Sequence, residues 1–150
     1  MKKIILLLAL VIILIFPIKT HATANWGWVD SDDYRTLWID NNSIGLDNNG
    51  FFAYFKETFS DSGVNREVEM RRSRGKSVNG FYNLSNYVAF VYFKNSGRIK
   101  YLSVMGIAYY DKNGNVLDSD SWNNFTWSRI IPDTYGETMY DAAYSRIWRR

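Results

Sequence analysis

Residues 102–110 constrain the fold of this chain more than any other stretch, because almost every side chain in them is apolar or small on both alternating faces. A strand of this kind is typically covered on two sides, so we place it in the middle of a sheet, within a strand 98–110. Residues 111–114, Asp-Lys-Asn-Gly, predict a tight turn into a second strand that runs to Trp127. The sequence therefore predicts a β-hairpin at the centre of the fold.

A C-terminal amphipathic helix is predicted after this hairpin. Thr134 and Glu137 match a capping box, in which the hydroxyl and the carboxylate satisfy free backbone N–H groups at the start of a helix. An apolar stripe at helical spacing follows: Met139, Tyr140, Ala143, Tyr144 and Ile147. We expect the stripe to dock on the sheet near Phe93, in a trough left by the small side chains of Gly106 and Ala108.

Before the central strand, residues 34–40 and 64–71 alternate apolar and polar side chains, as antiparallel strands do, and residues 51–59 are aromatic on both alternating faces. We predict strands at 25–31, 34–40, 51–59, 64–71 and 81–93. The expected fold class is α+β, with a single, mostly antiparallel sheet of about six strands and a C-terminal amphipathic helix packed on one face. Because the chain has no linker and no internal repeat, residues 25–150 are expected to form one domain.

Residues 1–24 have the pattern of a secretory signal peptide. Lys2 and Lys3 form a positive start, residues 4–18 are apolar, and residues 22–24 are small. The apolar run is shorter than the roughly 20 residues that span a bilayer. We expect cleavage after Ala24, and so no membrane span in the mature chain; the alternative is an uncleaved anchor.

Removal of the signal changes the charge of the protein. The full chain has 18 Lys and Arg against 15 Asp and Glu, and Lys2, Lys3 and Lys19 leave with the signal. The mature chain then has 15 basic and 15 acidic residues and is formally neutral. A neutral domain gives no support to nucleic acid as a partner.

The mature chain lacks both thiol and imidazole groups, since cysteine is absent and the one histidine, His21, lies in the predicted signal. This excludes Ser-His-Asp and Cys-His catalysis, the usual zinc sites and disulfides. We therefore expect a protein that is not an enzyme and needs no cofactor. What remains for an enzyme is carboxylate chemistry or a hard, oxygen-ligated metal. The catalytic alternative is a carboxylate-based hydrolase with a pair such as Asp118 and Asp120, although two acids in a Ser/Asp-rich loop are more typical of a solvated turn.

One dense basic run follows the predicted strand 64–71, and it consists of Arg71, Arg72, Arg74 and Lys76. It can be interpreted as a patch that binds an anion or a partner. It can also be interpreted as a solvated loop whose charges are balanced by Glu67 and Glu69. We favour the second interpretation.

A set of short motifs runs through the mature chain in a fixed order. They are Trp28, Asp40-x-x-Ser43-Ile44, Phe52-Ala53-Tyr54, Arg72-Ser73, a strand that ends at Tyr109, Gly114, Trp127-Ser128-Arg129-Ile130-Ile131-Pro132 and Gly136-Glu137. In this order they resemble the surface-adhesin protein E family, most specifically in the Trp-x-x-Ile-x-Pro segment and its Gly-Glu. The resemblance implies a small exported bacterial protein with a six-stranded antiparallel sheet and a C-terminal helix.

The resemblance also implies a disulfide between that helix and the sheet, with cysteines expected near Phe93 and at Tyr144. Both positions are aromatic here. An aromatic pair contributes about 0.5–1.5 kcal/mol beyond area burial, whereas a disulfide typically contributes about 2–4 kcal/mol. We expect packing of Phe93 and Tyr144 to take the place of the covalent tether.

The function implied by the resemblance is binding at the cell surface or outside the cell. We expect an exported, non-catalytic binding protein, an adhesin-like protein with host or environmental proteins as partners. The expected location is the secreted fraction or the cell envelope, in the periplasm or at the cell surface. The alternative from another class is a structural envelope protein that self-associates, for example as a homodimer.

Overall fold

The structure, a computed structural model, describes residues 23–147. Most of the predicted signal peptide, residues 1–22, lies outside the described residues. In residues 23–147 the strands are β1 (Trp26–Ser31), β2 (Arg35–Asp40), β3 (Gly45–Asp47), β4 (Gly50–Phe59), β5 (Leu84–Ser96), β6 (Ile99–Asp111), β7 (Val116–Ser121) and β8 (Ser128–Arg129). The α-helices are α1 (Asp61–Ser73) and α2 (Tyr135–Ile147), and a short 3-10 turn covers Phe81–Asn83. Neither α-helix is long and apolar enough to cross a membrane.

All the strands belong to one antiparallel sheet with the order β1-β2-β4-β5-β6-β7. The short strands extend this path, since β3 pairs with β4 and β8 pairs with β6. The two long strands, β5 and β6, pair along their whole length at the centre. The predicted fold class, a mostly antiparallel sheet with a C-terminal helix, is therefore confirmed.

The predicted central hairpin is present, but its second arm is shorter than expected. The turn that follows β6 contains Gly114 at a φ of 84°, and the Asp111 carboxylate accepts the backbone N–H groups of Asn113 and Asn115. β7 ends at Ser121 rather than at Trp127, and only β8 returns to the sheet after it.

The segment predicted as a strand over residues 64–71 is helical, so that prediction was wrong. The Ser60 hydroxyl accepts the N–H of Gly63 at 3.2 Å and caps the first turn of α1. The buried residues recur at helical spacing: Gly63, Val64, Glu67, Val68 and Arg71. Val64 and Val68 are four residues apart, a spacing that fits one face of a helix and one face of a strand equally well over so short a segment. The capping serine, Ser60, is the local signal that favours the helix.

Both helices pack on the same face of the sheet. α2 lies over a core of strand residues that includes Leu37, Phe55 and Phe93, and α1 lies beside a smaller cluster around Val68 and Leu84. We call this the covered face. No α-helix in the described part of the chain lies on the opposite face.

The expected docking trough at Gly106 and Ala108 is on the wrong face. Their cross-strand partners are Phe90 and Val88, whereas Ala89 and its partner Ile107 belong to the core beneath α2. The prediction assumed strict alternation from Leu102 to Ala108. A β-bulge between Phe90 and Val91 shifts the register of β6, so Leu102 stays on the covered face while Gly106 and Ala108 move to the other one.

Helix α2 docks through most of the predicted stripe, with one exception. Met139, Tyr140 and Ala143 are buried, and Ile147 packs at the edge of the core. Tyr144 is 42% exposed, and it stacks on Tyr140 with ring centroids 5.6 Å apart. Ala142 is buried beside the stripe, so the buried face is turned away from Tyr144.

The start of α2 differs in detail from the predicted capping box. The Glu137 carboxylate accepts the backbone N–H of Asp133 at 2.9 Å, one residue earlier than a capping box would have it. The Thr134 hydroxyl donates to the carbonyl oxygen of Ile131 at 2.7 Å. Glu137 also receives a hydrogen bond from the Lys100 ammonium of β6 at 2.9 Å, which ties the first turn of the helix to the sheet.

Candidate functional site

Aromatic side chains crowd the sheet face opposite the helices. They come from alternate positions of five strands, β1, β2, β4, β5 and β6, and we call them the aromatic face: Trp26, Trp28, Trp38, Phe52, Tyr54, Phe90, Tyr92 and Tyr110. Trp28 is 57% exposed and Tyr54 is 42% exposed. Large contiguous patches of exposed apolar surface often mark sites of interaction with a partner or a ligand.

Ring contacts across the strands hold the middle of the aromatic face in place. Tyr54 and Phe90, which are cross-strand partners, stack with centroids 4.6 Å apart. Phe90 also meets Phe52 at 5.6 Å and Tyr92 at 5.2 Å, both edge to face. Cross-strand aromatic pairs stabilise a sheet and fix the orientation of its rings. The aromatic face is therefore a preorganised surface.

The ends of the aromatic face carry cations of the protein itself. The Lys56 ammonium lies 4.5 Å from the ring centroid of Trp26, and burial lowers the pKa of Lys56. At the other end, Trp127 adjoins the aromatic face by stacking on Phe125, which contacts Tyr92, and the Lys94 ammonium lies 4.1 Å from the ring centroid of Trp127. These cations occupy ring faces at both ends, whereas the region around Tyr54 between them carries no such contact within residues 23–147.

A shallow depression of about 400 Å³ lies in this middle region. Tyr54, Phe90 and Tyr110 contribute the aromatic part of its lining. Gly106 and Ala108 contribute little bulk, and the edge strand β7 adds the side of the depression. Its volume is within the roughly 300–1,000 Å³ of ordinary small-molecule sites. The small residues predicted to receive the helix thus help to form the floor of this depression instead.

A cluster of polar groups is buried on the covered face, away from the aromatic face. Glu57 is 1% exposed and accepts hydrogen bonds from Arg35, at 3.2 Å, and from the Tyr87 hydroxyl. The Arg35 guanidinium lies 4.0 Å above the ring of Tyr135. The cluster joins β2, β4, β5 and the start of α2, so it fixes the junction of the helix with three strands.

The buried cluster lacks the access that a catalytic site needs. Burial, followed by the negative charge of Glu57, raises the pKa of Tyr87 and of Tyr135, so both phenols keep their protons at neutral pH. The Tyr135 hydroxyl makes no hydrogen bond of normal geometry with the described residues. The cavity beside it measures about 20 Å³, which is room for one water molecule and for no substrate.

The four residues of the predicted basic patch do not form one surface. Arg71 is buried on α1, with its guanidinium 3.7 Å from the ring centroid of Phe81. Arg72 donates to the Tyr82 hydroxyl at 2.8 Å. Arg74 and Lys76 are exposed. Arg71 is therefore not available to bind an anion or a partner at the surface, and only Arg72, Arg74 and Lys76 of the predicted patch are exposed.

The two acids considered for hydrolysis lie on strand β7, not in a loop. Asp118 accepts a hydrogen bond from the buried Arg71 at 2.6 Å, and this bond lowers the pKa of Asp118. A carboxyl held ionised in this way is a poor general acid at neutral pH. Asp120 is exposed. Among residues 23–147 there is also no group of three His, Cys, Asp or Glu side chains that could hold a metal ion.

The aromatic face was not predicted, although its residues were visible in the sequence. The strand 51–59 is aromatic on both of its alternating faces, which is unusual for a strand with one wet face. That signal could have indicated an aromatic outer surface. The partners of Tyr54 on the neighbouring strands could be found only from the register of the sheet.

Comparison with known proteins adds no relative, since no family model, no curated protein and no solved structure matches this chain.

Proposed function

We propose that this chain is an exported, non-catalytic binding protein and that the aromatic face is its binding surface. The observation that carries the proposal is a sheet face with rigid, exposed aromatic rings that no helix of residues 23–147 covers. Tyr and Trp are enriched at binding surfaces because they offer a large contact area with few rotatable bonds.

The proposed partner is a protein of the host or of the environment, as the resemblance to the surface-adhesin protein E family implies. The proposed location, outside the cytoplasm and in the envelope or the medium, comes from the signal-like residues 1–24. The balanced charge of residues 25–150 fits a partner recognised through apolar contact rather than through long-range charge.

The experiment is a comparative capture from extracellular proteins of the host or of the growth environment. The exported protein is immobilised beside two variants with the same chemical change, Tyr54→Ser on the aromatic face and Tyr82→Ser near α1, where Tyr82 is 61% exposed. We expect partners that the parent and Tyr82→Ser retain and that Tyr54→Ser loses. Equal capture by all three proteins would refute the role of the aromatic face.

The alternative of a self-associating envelope protein is tested with the same variants. Sedimentation velocity gives the mass of each protein in solution. A dimer that Tyr54→Ser dissociates and Tyr82→Ser leaves intact would replace the external partner by a second copy of this chain. A monomer at all concentrations supports the external partner.

A further inference from the structure

We infer that the depression on the aromatic face binds a neutral sugar ring, so that the partner is recognised through its glycan. This inference rests on the proposed function, because it names the ligand of the same face. Four features of the depression carry it: its aromatic lining, the space above Gly106, its free hydroxyl groups and its charge.

The aromatic lining fits the flat, apolar side of a pyranose. Tyr54 exposes 42% of its surface, and its ring is held in place by its stack against Phe90 on the neighbouring strand. The face of an aromatic ring carries partial negative charge, and the C–H bonds on one side of a sugar ring present partial positive charge to it. Because the ring of Tyr54 is already fixed, binding orders few side-chain torsions.

The space above Gly106 makes the depression wide enough for a ring. A Cβ atom at Gly106 would meet only the carbonyl oxygen of Asp120, at 3.7 Å, and the Cβ of Ser121, at 4.0 Å. Both are ordinary van der Waals distances, so the backbone leaves open space at this point. A larger side chain at Gly106 could enter the depression without backbone strain.

The hydroxyl groups around the depression have free hydrogen-bonding capacity. Tyr54 and Tyr110 line it from the sheet, and Ser119 and Ser121 line it from the edge strand. Within residues 23–147, none of these four hydroxyl groups takes part in a hydrogen bond. A hydroxyl both donates and accepts, as each hydroxyl of a sugar does, so the two sets are complementary.

The charge of the lining favours a neutral ligand. None of the residues that line the depression is basic. Its one acid, Asp120, is the cross-strand partner of Ile107, so the Asp120 side chain lies on the covered side of the sheet and not on the side of the depression. Lys56 borders the depression next to Val88, but its ammonium is directed over Trp26. Nucleic acids and sulfated glycans need cations for their charges, and this lining offers none.

The test measures binding of cellohexaose, maltohexaose and chitohexaose to the exported protein by calorimetry and by saturation-transfer NMR. We expect at least one of these probes to bind. Tyr54→Ser and Gly106→Leu, which fills the depression, should each raise the dissociation constant by at least about tenfold. Tyr82→Ser should bind as tightly as the parent. The inference is overturned if none of the three probes binds, or if both variants bind as well as the parent.

A competition experiment separates this inference from the proposed function. If the bound oligosaccharide displaces the captured partner, and enzymatic removal of the partner's glycans abolishes capture, the sugar is the recognised group. If capture depends on Tyr54 but survives both treatments, the partner is bound as a polypeptide and the sugar inference fails alone. If capture does not depend on Tyr54, the proposed function fails as well.

Discussion

Single residues of this protein carry buried charges that are individually compensated. The Arg71 guanidinium lies between the ring of Phe81 and the carboxylate of Asp118, and its Nε donates to the carbonyl oxygen of Ser77 at 3.1 Å. A charge withdrawn from water is tolerated only with partners of this kind. The basic run that the sequence presents as one unit is thus divided between core and surface.

We expect Asp118→Asn to lower the free energy of unfolding by about 1.5–3 kcal/mol, because Arg71 loses a charged hydrogen-bond partner. The hydrogen bond from Arg71 holds the pKa of Asp118 below its ordinary value. The stabilisation is therefore present above the ordinary pKa of an aspartate and is lost as the pH falls through the lowered pKa. Urea unfolding at several pH values measures both effects. Asp120→Asn, an exposed acid on the same strand, is the control; an equal loss for both variants would contradict the pairing.

We expect Glu67→Gln to stabilise the protein at neutral pH. Burial raises the pKa of Glu67, so the folded state binds a proton more tightly than the unfolded chain and is penalised once the carboxylate ionises. The gain should fade as the pH falls below the ordinary pKa of a glutamate. Thermal unfolding at neutral and acidic pH tests this, with the exposed Glu69→Gln on the same helix as the control. No gain at neutral pH, or a gain that persists in acid, would count against it.

Among the elements, helix α2 depends on the sheet most directly. Tyr140 is buried, with its ring 5.2 Å from that of Phe51 and its hydroxyl donating to Asn95 at 2.9 Å. Tyr144 touches Phe51 at 5.9 Å from its half-exposed position. Tyr140 is thus the main aromatic anchor of the helix, and its ring meets Phe93 edge to face at 5.9 Å.

We expect Tyr140→Ala to cost about 3–5 kcal/mol of unfolding free energy, because it leaves a cavity in the core. Tyr144→Ala should cost less, since its side chain already meets water. Thr134→Ala should cost about 0.5–1.5 kcal/mol, because its hydroxyl no longer donates a hydrogen bond to the carbonyl oxygen of Ile131. Chemical unfolding of the three variants beside the parent gives the order. A larger loss for Tyr144→Ala than for Tyr140→Ala would mean that the helix docks through another face.

The sequence predicts elements whose signals are local and misses those that depend on pairing. The start of α2 and the turn at Gly114 are recognisable because a few adjacent residues specify each of them. The face of Gly106 could not be predicted, because it depends on a bulge that is defined only by the partner strand. The aromatic face is missed for the same reason.

At the scale of the whole molecule, the start of the described chain is tied to the sheet. The backbone nitrogen of Asn25 donates to the Asp40 carboxylate at 2.8 Å. If the signal is cleaved after Ala24, this nitrogen becomes an ammonium group beside a carboxylate, and the hydrogen bond becomes an ion pair.

We expect the exported protein to begin at Asn25, because cleavage there removes the signal and leaves the first strand intact. Intact-mass spectrometry of the exported product measures the start directly. A product that retains residues 1–24 in the membrane fraction would contradict the expected processing and the proposed location.

Both helices lie on one side of the sheet, so selection for stability and selection for binding act on different faces. Substitutions beneath the helices alter the stability of the fold, whereas substitutions at outward positions such as Tyr54 leave that core in place. A lineage could therefore exchange the outward residues of β4, β5 and β6 and acquire a new specificity at the cost of the cross-strand ring pairs alone, about 0.2–1 kcal/mol for each pair, while the core beneath the helices stays intact. For the same reason, these strand positions offer a surface that can be randomised in the laboratory to obtain new binders on an unchanged scaffold.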